Sequence, residues 1–233
     1  MPKRHYNGLD LGQRVDYSAS VLIERKEMRQ AQEKLPGTEK WEMEALTAVS
    51  LYEVRNVHRW DLGTAYADVV QDVFNALQHP ELHTTTRLVV DATGVGVPVI
   101  EMMQRGPYRL NPQGIMITAG NSVGMGKDGM YNVSKRILIT MLQTLVQSQR
   151  IRVSPKMEHY AELMREMKAF SLKLTAARND TYEAWSEQDH DDIVMALAVA
   201  VWLAEHELGS ETIYPAKRRR MNVGDDARDF LHW

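Results

Sequence analysis

The sequence contains no cysteine among its 233 residues. Disulfide bonds and zinc sites built from thiolates are therefore excluded, and a reducing compartment is permitted without being required. No apolar run approaches the roughly 20 residues that span a bilayer, so no contact with a membrane is predicted. Residues 1–5 also lack the apolar stretch of a secretory signal.

A strong excess of charge of either sign is also missing. The chain has 28 Lys and Arg against 31 Asp and Glu, for a net charge of -3. Any affinity for nucleic acid must then come from local basic patches, or from metal ions that neutralise a carboxylate cluster. With 44% hydrophobic and 25% charged residues, the composition is that of an ordinary globular domain with a substantial core.

The apolar pattern predicts an α/β fold in which strands precede most of the helices. The predicted strands are residues 6–11, 17–24, 47–57, 88–90 and 114–118. The predicted helices are residues 64–77, 97–104, 132–148, 157–169 and 189–207. Polar residues 26–40 are predicted to form a long loop.

This order predicts a ribonuclease H-like mixed five-stranded sheet, with three antiparallel strands followed by two parallel ones, flanked by helices. Other α/β domains share parts of the order, so it does not decide the function. The positions of the acidic residues are more informative.

Asp10 is a carboxylate within an apolar strand. Burying it unpaired would cost several kcal/mol or force it to take up a proton. If the hairpin turns about Gln13, Asp16 lies opposite Asp10, and opposed like charges destabilise a sheet unless a divalent cation lies between them. The alternative for Asp16 is that it only supports the turn.

Asp91 ends the apolar strand at residues 88–90 and precedes the glycine-containing segment 92–96. Ligands in open α/β sheets bind at the carboxyl ends of strands, and glycines let the backbone approach a phosphate or metal-bound water. The alternative is that Asp91 caps the following helix. Neither this segment nor residues 120–127 match a complete nucleotide-binding motif, so no ATP site is predicted.

A third acidic group, Asp189, Asp191 and Asp192, opens the last predicted helix. The helix dipole alone favours acidic residues in a first turn. This helix, however, is apolar over most of its circumference, so it should pack on the sheet and bring its first carboxylates to the sheet edge. His190 either supports the cluster or simply begins the helix.

Carboxylates in this number predict a site for Mg²⁺ or Mn²⁺, which prefer hard oxygen ligands. Two such ions about 4 Å apart can activate water and stabilise the leaving oxygen of a phosphodiester. This chemistry needs no nucleophilic serine or cysteine.

Three segments of the chain resemble the nuclease domain of phage terminase large subunits. They are residues 8–12 with Asp16 downstream, residues 89–96 and residues 190–198, supported by residues 134–136, 150–153 and 163–173. The resemblance covers about residues 6–207, and the last helix is its most specific part. It implies that the catalytic metal ligands are Asp10, Asp91 and Asp191. Asp16 and Asp192 would be auxiliary ligands, and either member of the Asp191–Asp192 pair could face the metals.

The resemblance implies a DNA endonuclease that uses two Mg²⁺ or Mn²⁺ ions during phage genome packaging, in the cytoplasm of a bacterial host cell. Residues 1–208 would form the nuclease domain and residues 209–233 a flexible polar tail. Its partners would be double-stranded DNA, a terminase ATPase chain, a small terminase subunit and the portal. A complete large subunit has an N-terminal motor that this sequence lacks, so we expect an excised domain or a motor on a separate chain.

Basic residues are candidate phosphate contacts. They are Lys127, Lys135, Arg136, Arg150, Arg152, Lys217, Arg218, Arg219 and Arg220. Two alternatives remain open: another ribonuclease H-like nuclease, of the junction resolvase or transposase type, and a catalytically silent packaging or scaffold protein. Transposase-type enzymes usually supply Glu as the third ligand, where this chain has Asp.

Overall fold

Eight strands and five helices make up the described part of the chain, which in this computed structural model comprises residues 4–12, 16–30, 47–176 and 191–213. The strands are β1 (His5–Asp10), β2 (Ala19–Gln30), β3 (Thr47–Arg59), β4 (Thr86–Asp91), β5 (Gln113–Thr118), β6 (Val123–Met125), β7 (Tyr131–Ser134) and β8 (Ile151–Val153). The helices are α1 (Tyr66–Leu77), α2 (Gly96–Gln104), α3 (Lys135–Gln147), α4 (Tyr160–Ala176) and α5 (Asp192–Ile213).

All eight strands belong to one mixed sheet, in the order β6-β7-β5-β4-β1-β2-β3-β8. In its central part, β3-β2-β1-β4-β5, strand β2 runs antiparallel to β1 and β3, while β4 is parallel to β1 and β5 is parallel to β4. This is the ribonuclease H-like arrangement that the element order predicted, and the predicted fold is confirmed.

The structure adds three short strands to the five that were predicted. Strand β7 covers residues assigned to the start of a helix, which begins only at Lys135. Pairing of β7 with β5 accounts for the difference, since this long-range contact satisfies the backbone of residues 131–134 where local spacing favoured a helix. Helix α5 continues to Ile213, past residue 208, where the nuclease domain was predicted to end. The position of this domain boundary stays a prediction.

The predicted loop from Lys26 is wrong over its first part, because β2 continues to Gln30. The polar end of β2 pairs with β3, from Lys26 opposite Leu51 to Gln30 opposite Thr47. These residues lack an apolar alternation, but their partner strand satisfies their backbone groups. Residues 31–46 lie outside the described residues.

Helix α5 covers one face of the sheet. Every residue from Ile193 to Ala204 is buried, so the helix lies inside the core. A Cβ added to Gly8 on β1 would lie 1.9 Å from the carbonyl oxygen of Ala196, so glycine at this position lets α5 approach the strand closely.

Helices α1 and α2 contribute to a second apolar cluster, which includes Leu9, Val70 and Val90. The neighbouring residues Tyr6 and Val89 belong to the cluster around α5. Because side chains alternate along a strand, this division fixes which side chains of β1 and β4 face α5. Within the described residues, no helix is long and apolar enough to cross a membrane.

Candidate active site at the carboxyl edge of the sheet

Asp10 and Asp91 lie next to each other at one edge of the sheet. Strands β1 and β4 are parallel neighbours in which Leu9 pairs with Val90, and each strand ends at the following aspartate. Leu9 and Val90 pack in the cluster with α1 and α2, so Asp10 and Asp91 point to the opposite face, where α5 begins.

The start of α5 brings the third acidic group to this edge. The carbonyl of Asp191 accepts a hydrogen bond from the backbone N–H of Met195 at 2.8 Å, which closes the first turn of the helix. Glu166 of α4 accepts the backbone N–H groups of Ile193 and Val194, both at 3.0 Å to Oε2. Glu166 therefore holds the N-terminus of α5, and with it the acidic pair, in place.

Glu166 is a residue to which sequence reasoning assigned no role, although it lies in one of the segments of the terminase resemblance. Its side chain is buried, and burial raises the pKa of its carboxyl from 4.5 to about 7. The available signal was an acidic residue on the apolar side of a helix, three residues after the buried Leu163.

The other acidic side chains of this edge act on the pKa of Asp10. Burial raises this pKa well above its usual range, and the negative charge of Asp91 raises it further. Asp192 and Asp191 add to the effect, while Lys135 opposes it. The four carboxylates therefore form one cluster, here called the acidic edge: Asp10, Asp91, Asp191 and Asp192.

Asp91 is oriented by the segment that follows it. Burial raises the pKa of its carboxyl, whereas hydrogen bonding from Thr93 lowers it, and the backbone N–H of Thr93 donates to Oδ1 at 2.8 Å. Helix α2 has Val95 as its N-cap residue and no side-chain cap. The alternative in which Asp91 caps this helix is therefore wrong, because its carboxylate bonds within the preceding turn.

A lysine lies within the acidic edge. Lys135 Nζ donates to Asp191 Oδ2 at 3.0 Å, and both side chains are about one-third exposed. Lys135 is the first residue of α3, whose N-cap residue Ser134 accepts the N–H of Ile137 through Oγ. Among the described residues, no three acidic or histidine side chains already stand in positions that could hold a metal ion.

Asp192 has a different partner from its neighbour Asp191. It is buried, and its Oδ2 accepts a hydrogen bond from Arg59 at 3.0 Å. The guanidinium of Arg59 in turn lies 3.7 Å from the centre of the Tyr17 ring. The structure thus separates two residues that the sequence could not distinguish: Asp192 is in a buried ion pair, and Asp191 is the more exposed.

The predicted register of the first hairpin is wrong. Asp10 pairs with Ala19, and Asp16 lies exposed in the connection between β1 and β2. This connection spans residues 11–18 rather than a tight turn about Gln13, and Gly12 within it donates its N–H to Ser18 Oγ. Asp16 therefore does not face Asp10 across a ladder, and its role as an auxiliary ligand stays a prediction.

The candidate DNA contacts fall in different places. Lys127 is exposed between β6 and β7, and Arg136 is exposed beside Lys135 on α3. Arg150 contacts other parts of the protein: its Nε donates to the carbonyl of Ser50 at 2.7 Å, and its guanidinium pairs with Glu205. Arg152 is exposed. Asp189, His190, Lys217, Arg218, Arg219 and Arg220 lie outside the described residues.

The structure is similar to solved terminase nuclease domains. The large terminase nuclease from thermophilic phage G20c superposes with a TM-score of 0.49 and 17% identity, over 85% of this chain and 81% of that one. The human cytomegalovirus terminase nuclease domain, Mn soaked, superposes with a TM-score of 0.44 and 9% identity, over 85% and 82% of the two chains. No family model matches the sequence, and no curated protein matches it. At these values the likeness assigns no activity, which must be argued from the chain's own residues.

Proposed function

We propose that this protein is a metal-dependent endonuclease that hydrolyses DNA phosphodiester bonds. The observation that carries the proposal is the acidic edge, where strands β1 and β4 and helix α5 bring carboxylates from distant parts of the sequence together. A stable protein has no structural need for several aspartates whose charges raise the pKa of a buried neighbour, Asp10, so the arrangement favours a functional role.

The chemistry of the acidic edge suits Mg²⁺ or Mn²⁺. Asp10, Asp91 and Asp191 offer hard oxygen ligands. A divalent cation among them would offset the repulsion between carboxylates, which adds to the effect of burial on the pKa of Asp10. When bound, two such ions would supply an activated water and stabilise the leaving oxygen of the phosphodiester. Asp191 would have to exchange its bond to Lys135 for a metal ion.

The protein's own residues hold these ligands in position. Asp10 and Asp91 lie at the ends of central strands, and Thr93 orients the Asp91 carboxylate. Glu166 anchors the start of α5 and so places Asp191. Ligands on regular elements are placed more precisely than ligands on loops, as hydrolysis at one phosphate requires. We assign Asp16 and Asp192 the roles of auxiliary metal ligands.

Double-stranded DNA would be bound through its phosphates. The candidates are Lys127, Lys135, Arg136 and the basic run at residues 217–220. Contacts of this kind carry little sequence information and weaken steeply with salt, because binding releases counterions. In the packaging machine of a phage, acting in the host cytoplasm, restraint on cutting would then come from the ATPase chain, the small subunit and the portal.

The test is cleavage of supercoiled plasmid with Mg²⁺ or Mn²⁺. Asp91→Ala should abolish cutting while DNA binding, measured by fluorescence anisotropy, is largely retained, because the change removes a metal ligand and not a phosphate contact. Asp61→Asn, at an exposed aspartate outside the acidic edge, should cut like the wild type.

Several outcomes would contradict the proposal. Robust cleavage in excess EDTA would exclude a metal-dependent mechanism, and sharp cutting at one defined sequence would contradict binding through phosphates. A strong preference for branched over linear duplex DNA would indicate a junction resolvase. Wild-type protein that cuts no DNA would indicate a packaging or scaffold protein.

A further inference from the structure

We propose that Lys135 is an exchangeable cation of the acidic edge: its ammonium neutralises Asp191 until a divalent metal binds there, and then contacts the phosphate that is cleaved. The inference rests on the proposed nuclease function and adds a catalytic residue to it. In this proposal Lys135 contacts the phosphate that is cleaved, whereas the other basic candidates would contact phosphates elsewhere along the DNA backbone.

Lys135 interacts electrostatically with more than one carboxylate of the acidic edge. Its Nζ lies 3.0 Å from Asp191 Oδ2, and its positive charge also lowers the pKa of both Asp10 and Asp91. The backbone at Lys135 is held by the capped start of α3, directly after β7 in the sheet. Its ammonium can therefore move only as far as the side chain allows, which keeps it beside the acidic edge.

The neighbouring ion pair, between Arg59 and Asp192, is an example of a cation that is held in place. Arg59 is 12% exposed, stacks on Tyr17 and pairs with Asp192, whose side chain is 6% exposed. Breaking such a buried pair is costly, because it leaves a charge without water or partner. Arg59 therefore has a structural role and stays with Asp192.

The pair between Lys135 and Asp191 has the opposite character. The two side chains are 34% and 31% exposed, and partly exposed ion pairs of this kind contribute little to stability. Lysine also carries a compact charge on a flexible four-carbon stem, whereas arginine is planar and rigid. Of two adjacent aspartates, one thus has a fixed cation and the other a cation that can leave at low cost.

During hydrolysis such a cation could stabilise the negative charge that develops on the phosphate. The attacking water gives up a proton as its oxygen forms a bond to phosphorus, the bond from phosphorus to the oxygen of the leaving strand breaks, and that oxygen takes up a proton. Negative charge accumulates on the phosphate oxygens between these events. The positive charge of the Lys135 side chain would offset that charge.

The experiment compares Lys135→Met, which removes the charge, with Lys135→Arg, which keeps it. Mn²⁺ is titrated into each metal-free protein without DNA, with the melting temperature as the readout. In Lys135→Met the Mn²⁺ concentration at half-saturation should fall severalfold, because the competing cation is gone, and in Lys135→Arg it should stay near the wild-type value. At saturating Mn²⁺, kcat for plasmid cleavage by Lys135→Met should fall by about tenfold or more, with KM much less affected.

Lys156→Met, at an exposed lysine after β8, is the matched control and should change neither quantity. Lys135→Gln provides a second removal of the charge and should reproduce both effects. An unchanged or higher Mn²⁺ requirement in Lys135→Met and Lys135→Gln would overturn the exchange. An unchanged kcat with a raised KM would make Lys135 an ordinary phosphate contact. Wild-type protein that binds Mn²⁺ but cuts no DNA would instead refute the nuclease function, which the titration does not assume.

Discussion

Replacing Glu166 by glutamine should remove much of the pH dependence of stability in the metal-free protein. Glu166 is 5% exposed, and its Oε2 accepts two backbone N–H groups at the start of α5. Burial raises the pKa of this carboxyl from 4.5 to about 7, against the lowering effect of the hydrogen bond from Val194. Glutamine keeps an oxygen acceptor at this position but does not titrate.

The magnitude follows from the difference between the two pKa values. The folded protein holds the proton of Glu166 more firmly than the unfolded chain does, so this stabilisation is complete below pH 4.5 and is lost as the pH rises to about 7. At about 1.4 kcal/mol for each pH unit, the loss is about 3 kcal/mol. Asp10 and Asp91 also have raised pKa values and contribute with the same sign.

The assay is urea denaturation in EDTA at several values between pH 4.5 and 7.5. The free energy of unfolding of the wild type should fall across this range, and Glu166→Gln should fall by about 3 kcal/mol less. Glu158→Gln, at an exposed glutamate, should follow the wild type. An equal fall in the free energy of unfolding of Glu166→Gln and the wild type would refute the reasoning, because the pKa of Glu166 would then be the same in the folded and unfolded states.

Three further changes test the packing and charge of the site. Gly8→Ala would place a methyl group against the carbonyl of Ala196 and should destabilise the protein by about 3 kcal/mol in urea denaturation, because α5 must shift. Asp10→Asn should abolish the rise in melting temperature on adding Mn²⁺ while leaving the metal-free protein as stable or slightly more stable, since burial disfavours the charged carboxyl. Arg59→Met should lower the free energy of unfolding by about 3–5 kcal/mol, because it leaves Asp192 buried without its cation.

Matched variants separate these effects from the general cost of substitution. Gly124→Ala, where an added Cβ would meet nothing within 4 Å, should leave stability nearly unchanged. Arg105→Met removes an arginine that is 79% exposed from its pair with Glu101, which is 52% exposed, and should cost less than 1 kcal/mol, on the scale of about 0–1 kcal/mol for exposed ion pairs. Strong destabilisation of the metal-free protein by Asp10→Asn would show that Asp10 has a structural, hydrogen-bonded role.

The sequence alone predicted the central elements of the sheet and the acidic residues that meet there. Apolar runs define β4 and α5, because a strand or helix buried in a core must be apolar over most of its surface, and the residues that meet this requirement are adjacent in the sequence. A charged residue within such a run is conspicuous for the same reason. Asp10, Asp91 and Asp191 could therefore be singled out before their positions in space were known.

Only the tertiary structure decided how the side chains at this edge are paired. Lys135 lies 56 positions from Asp191, Arg59 lies 133 positions from Asp192, and Glu166 lies 27 positions from the N–H group that it accepts. No local pattern encodes such contacts, because they depend on the sheet order and on where α3, α4 and α5 begin. Likewise, the register that places Ala19 rather than Asp16 opposite Asp10 was set by the length of the hairpin connection, which the apolar pattern does not specify.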